Sequence, residues 1–136
     1  MFSIVIAIIA ASSGLMKQRV FSKRDNALRH WTATIAHIQL MIGMILYTQS
    51  PVVKYFWKNT GAASFDITFY SAIHAALMLS AIVALTIGSA LAKRRSTDRE
   101  KFRTMLIWFS IALIIILLAI PWPFSPLSAR PYLRTF

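Results

Sequence analysis

Near the end of the chain runs Ile111-Ala112-Leu113-Ile114-Ile115-Ile116-Leu117-Leu118-Ala119-Ile120, closed by Pro121-Trp122-Pro123. A helix with no polar side chain over that length has no face for water, so it belongs in a deep core or in lipid. Followed backwards, the apolar pattern reaches residue 104 and gives a span over 104–121, about 27 Å of helix at 1.5 Å per residue. Its helix starts at Thr97-Asp98-Arg99-Glu100, a capping-box sequence. Three further stretches behave alike, over about 1–16, 30–48 and 67–92. The second helix begins at another capping box, Ser22-Lys23-Arg24-Asp25, and stops before Pro51. The third follows Asp66, an N-cap residue type.

Composition agrees. Of 136 residues, 57% are hydrophobic and 14% charged, against about 25% charged in a soluble domain. The expected fold is an all-α membrane bundle of four transmembrane helices in one domain, with a tail over 122–136. A soluble enzyme, a two-domain protein and a disordered chain are excluded. The chain has no cysteine, which removes disulfides, thiolate metal sites and iron–sulfur clusters.

The net charge of +11 acquires meaning from its placement. Lys17, Arg19, Lys23, Arg24 and Arg29 lie between the first two spans. Lys93, Arg94, Arg95, Arg99, Lys101 and Arg103 lie between the last two. The other side holds only Lys54, Lys58, Arg130 and Arg134. The positive-inside rule puts both basic loops in the cytoplasm and both termini outside, in a bacterial inner membrane. Tyr47, Trp57, Tyr70 and Trp122 mark the outer interface and Trp31 the inner one. The basic loops expect anionic lipid headgroups as partners, and no nucleic acid.

The first span is short, about 24 Å of helix. A signal peptide is the competing reading, but its basic residues follow the apolar run and Ser12-Ser13-Gly14 is a poor cleavage site. The shortness points to a chain that begins upstream of Met1. Ser22-x-x-Asp25 with Arg29 parallels Thr97-x-x-Glu100 with Arg103 at an offset of 75 residues. Such a pair suggests two parallel hairpin repeats, although any capped inner loop looks similar. Residues 51–58 are amphipathic enough to lie flat at the outer surface, and the proline-containing tail reads as an extended arm.

Inside the spans the ionisable inventory is His37 and His74, with His30 at the interface beside Trp31. His37, Met41 and Met44 share one helix face, and Ser71, His74 and Met78 another. Three uses compete. Two histidines can ligate one haem b iron axially, with Met41 and Met78 lining the pocket. Histidine and methionine together suit Cu(I). Otherwise each histidine bonds across a helix contact. Depth bears on the choice: measured from the span centres, the two histidines differ in height by about 10 Å, a large gap for one iron. Ser80, Ala84 and Gly88, with Ala76 before them, form a small-residue ridge suited to close helix approach. The last span's aliphatic surface suits lipid or a partner subunit. No nucleophile–base pair or carboxylate dyad occurs in the spans, so no catalytic residues and no catalytic activity are expected.

Several segments resemble a family of small four-helix membrane proteins of Bacteroidetes-type bacteria, described as cytochrome b-like. They are residues 21–26 (Phe-Ser-Lys-Arg-Asp-Asn), 37–47 (His-Ile-Gln-Leu-Met-Ile-Gly-Met-Ile-Leu-Tyr) with Ser50-Pro51, His74-x3-Met78, and 114–124. The resemblance implies an inner-membrane subunit in electron transfer, or an accessory bundle among other membrane protein subunits of a respiratory or similar assembly. Haem ligation by His37 and His74 comes with it. The family often carries a further histidine at the outer start of the first helix, before the point where this chain begins. An acidic residue is expected before the second histidine, where Ile73 stands.

Overall fold

A computed structural model describes residues 1–59 and 64–120, with the Asp66 side chain outside that description. The elements are α1 (Phe2–Met16), α2 (Lys23–Gln49), α3 (Pro51–Lys58), α4 (Phe65–Thr68), a π-helical turn (Phe69–Ile73), α5 (His74–Arg94) and α6 (Asp98–Ala119). All are helical; no strand occurs among the described residues. Three helices are long and apolar enough to cross a membrane: Lys23–Gln49, the continuous Phe69–Arg94, and Asp98–Ala119. α1 is apolar but has only 15 residues. The expected outer tail, with Trp122, lies outside the described residues.

Local chemistry fixes the helix starts. Ser22 Oγ accepts the Asp25 amide at 3.3 Å, and the Asp25 carboxylate accepts the Ser22 amide at 2.9 Å, a complete capping box. Thr97 Oγ1 accepts the Glu100 amide at 3.3 Å, but the reciprocal Glu100 bond is not found, so the second box is half-formed. The third helix begins at Phe65, two residues before the expected start at 67, so Asp66 stands inside the first turn and is not the N-cap. Residues 51–58 do form a helix, with Pro51 in its first turn, where the missing amide costs nothing.

The long helices form a ring in the order α1, α2, α5, α6, with α6 also against α1. α6 is the central element. Phe102, Met105, Phe109, Ala112 and Ala119 are buried along one of its faces, at the three- and four-residue spacing that makes a stripe. Its aliphatic run is therefore shared: one side packs inward, and Ile107, Ile111, Ile114 and Leu118 face out. α1 contributes Ile4, Ala7, Ala11 and Gly14 as a narrow small-residue seam. At Gly14 a Cβ would lie 2.5 Å from the Phe102 ring, so only glycine allows this approach.

The ridge on α5 is rotated from the expected one. Ala84 and Gly88 are buried, as anticipated, but Ser80 is exposed and bonds back to the Ala76 carbonyl, and Ala76 is not buried either. The inward face is instead Ala81, Ala84, Leu85, Gly88 and Ala92. It meets α6 within the chain, where a Cβ on Gly88 would fall on the Trp108 side chain. Shared spacing along an alanine-rich helix gave two candidate ridges, and the bulk of α6 selected between them.

α2 is the least embedded member. Thr32 Oγ1 donates to the Ser3 carbonyl at the far end of α1. Beyond that level, towards Gln49, Ile38, Met41, Ile42, Met44, Ile45 and Leu46 of α2 are exposed.

Candidate functional site

Polar side chains gather at three levels of the bundle. At the end that carries the α1–α2 and α5–α6 loops, the Arg19 guanidinium makes a bidentate pair with the Asp25 carboxylate at 2.6 and 2.7 Å. Burial alone would push the Asp25 carboxyl up. The bonds from Arg19 and Ser22, with the Arg19 charge, outweigh burial and hold it below the usual carboxylate range. Arg19 also stands 4.9 Å over the Phe102 ring. Asp25 therefore caps α2 and anchors the α1–α2 loop to the core.

Arg29 is more deeply placed than a loop cation. It is 5% exposed, with Nη1 donating to the Ser89 carbonyl at 2.7 Å and to Ser89 Oγ at 2.5 Å. Asn26 Oδ1 accepts from Nη2 at 2.9 Å. No carboxylate pairs with Arg29 among the described residues; neutral oxygens solvate its charge and join α2 to α5. The matching residue of the second inner loop, Arg103, is exposed. The two motifs share a capping residue and little else.

At the middle level stands His37. Its Nδ1 lies 2.7 Å from the Ala33 carbonyl and its Nε2 3.3 Å from Thr86 Oγ1. A carbonyl only accepts, so Nδ1 carries the proton and Nε2 faces α5. The Thr86 hydroxyl has one hydrogen and also lies 2.7 Å from the Ile82 carbonyl, so it divides that hydrogen between two acceptors when the ring is neutral. Met41 and Met44 on the same helix face are exposed.

At the opposite end of the bundle α5 is entered through the π turn. The His74 amide bonds to the Phe69 carbonyl, five residues back, the pattern of a π-helix. Tyr47 reaches over from α2 and its hydroxyl donates to the Ser71 carbonyl at 2.6 Å. Ser71 Oγ is buried with no partner. The His74 ring donates from Nδ1 to the Ala119 carbonyl at 2.7 Å. Ala119 ends α6, where helix carbonyls lack intrahelical donors, so His74 works as a cap supplied from a neighbouring helix. Met78 is half-buried one turn further in.

The two histidines do not converge. Thr86, which His37 touches, stands twelve residues along α5 from His74, about 18 Å of axial rise. The separation exceeds the 10 Å expected from span centres because α2 is set against α5 by the Arg29–Ser89 and Tyr47–Ser71 bonds, which bring His37 to the level of Thr86. Two axial ligands must both reach one iron, and these side chains cannot bridge that length, so one haem b shared by His37 and His74 does not fit the residues as placed. No group of three or more His, Cys, Asp or Glu side chains that would hold a metal ion occurs among the described residues.

Thr86 and the buried role of Arg29 escaped the sequence reading, which singled out Tyr47 as an interface residue and Ser71 as a neighbour of His74 without their contact. Each is an ordinary residue until the register of α2 against α5 is known. Comparison of the chain with protein-family models, curated proteins and solved structures finds no match.

Proposed function

We propose that this chain is a four-span protein of a bacterial inner membrane, with both termini outside, serving as an accessory subunit of a larger membrane assembly. The observation that carries this reading is the outer half of α2. His37 and Gln39 lie on its exposed surface among Ile38, Met41 and Ile42. A polar side chain facing lipid is costly, and such residues usually turn towards protein. A partner helix laid on this face would give the Gln39 amide a donor and an acceptor.

The chain lacks cysteine, so single-cysteine variants make clean probes. Ile42→Cys is expected to cross-link in native membranes to one partner in fixed stoichiometry, and Ile114→Cys on the far side is not. A protein that extracts in mild detergent as a lone monomer, with neither site cross-linking, overturns the accessory role.

Electron transfer is the second reading, favoured by one observation. Both rings hold Nδ1–H against a backbone carbonyl, the second-sphere arrangement of ligating histidines. Given their separation, each histidine would need its own site and a further ligand. An absorbance spectrum decides: a b-type Soret band lost in either His37→Ala or His74→Ala supports the carrier, and a colourless stoichiometric complex removes it.

A further inference from the structure

Two clefts open at the inner end of α6, on either side of a shared wall. One, of about 640 Å³, is lined by Leu15, Met16, Arg99, Glu100 and Arg103. The other, of about 340 Å³, is lined by Arg95, Glu100, Arg103, Thr104, Ile107 and Trp108. Arg99 and Arg103 stand one helical turn apart on α6, and Arg95 ends α5 beside them. None of the three guanidinium groups forms an ion pair or hydrogen bond among the described residues; the two ion pairs there use Arg19 and Lys101. Their charge is uncommitted. Against them stands one carboxylate, Glu100, which leaves a net charge of +2 around the shared wall.

The chemistry changes along the bundle. Arginines lie towards the loop, with Leu15 and Met16 at the end of α1 on the same level, while Ile107 and Trp108 lead along the apolar body. A free anion would use only the arginines. A ligand with a phosphate at one end and hydrocarbon at the other uses both, and the guanidinium fork suits phosphate oxygens. We infer that the Arg95–Arg99–Arg103 cleft pair is a binding site for the headgroup of an anionic phospholipid. The phosphodiester lies on the arginines, and the acyl chains run past Trp108 and Ile107. Glu100 accepts from a headgroup hydroxyl, which suits a glycerol headgroup. The inference rests on the membrane placement proposed above, which puts this end of the bundle at the cytoplasmic headgroup level.

The test uses the full chain in detergent, offered phosphatidylglycerol, phosphatidylethanolamine with the same acyl chains, or inorganic phosphate, with retained ligand read by native mass spectrometry. Retention of phosphatidylglycerol in preference to the other two is expected. R99Q/R103Q should weaken it on the order of tenfold. K93Q/R94Q removes the same charge from exposed positions outside the clefts and should leave retention unchanged. Equal loss in both double variants overturns the site in favour of diffuse attraction. Equal retention of phosphatidylethanolamine, or equal protection by inorganic phosphate, also overturns it. Alkaline extraction of the reconstituted protein separates the two levels. A chain released from vesicles overturns the membrane placement and the site together, whereas one that stays inserted yet holds no phosphatidylglycerol overturns the site alone.

Discussion

Asp25 shows how much one side chain can carry. Its carboxylate closes the α2 capping box, pairs with Arg19 and accepts from the Ser22 hydroxyl at 2.6 Å. Its folded pKa is lowered, so the folded state binds fewer protons than the unfolded state near that range. The stabilisation is complete above the unfolded carboxylate pKa and is lost as pH falls through the lower folded value. Thermal unfolding followed by circular dichroism should show the melting temperature of the wild type falling below about pH 4, with a flatter profile in Asp25→Asn. Arg29→Ala should lower stability by about 2 kcal/mol, because charge-assisted bonds to the Ser89 carbonyl and hydroxyl disappear. Ser89→Ala should cost less, since the carbonyl still accepts. Denaturant titration in mild detergent would check the order. The Asp25 cap was legible because a capping box is a local pattern four residues long. The burial of Arg29 was not, because it depends on an oxygen sixty residues away.

At the scale of elements, close approach is concentrated where glycine meets an aromatic side chain. Gly88→Ala would drive a methyl into Trp108, and Gly14→Ala into the Phe102 ring. Each should destabilise by about 1–3 kcal/mol. Gly43 has open space around it, and Gly43→Ala should be neutral or stabilising by up to about 1 kcal/mol, from helix propensity alone. Thermal melts of the three variants in one detergent give the comparison. The existence and type of the long helices followed from apolar length and caps. Which helix would be central did not, because an aliphatic run such as 111–120 presents the same chemistry on every side. The outcome was decided by Phe102, Met105 and Phe109, spaced to fill the seam opened by the small residues of α1.

For the whole molecule, the histidines test the register of the bundle. If His37 and His74 served one cofactor, removing either would abolish the same function and the double variant would add little. Held so far apart along α5, they act independently. The stability losses of His37→Ala and His74→Ala should add within about 0.5 kcal/mol, as measured by a double-mutant cycle. His74→Ala should be the costlier, since it strips the donor from the end of α6 while His37 bonds mainly within its own helix. Sequence alone identified both residues as the polar exceptions of their spans and left open whether they share an iron, hold copper or each bond across a helix contact. Their actual heights depend on where α2 is pinned, by Arg29 near its start and Tyr47 near its end.

The π turn at Phe69–Ile73 also bears on how the gene can change. A π turn holds one more residue than the α-helical path it replaces, so it can absorb the loss or gain of a codon while the rest of the helix keeps its register. Removing Ala72 should let the chain bond as an unbroken α-helix from Phe65 onward, with α5 still aligned against α6. The same deletion at Val83, in the middle of α5, would turn every later side chain about 100° out of place. Expression and melting of the two deletions would show this fold to be permissive to length change at its outer entrance and intolerant at its centre.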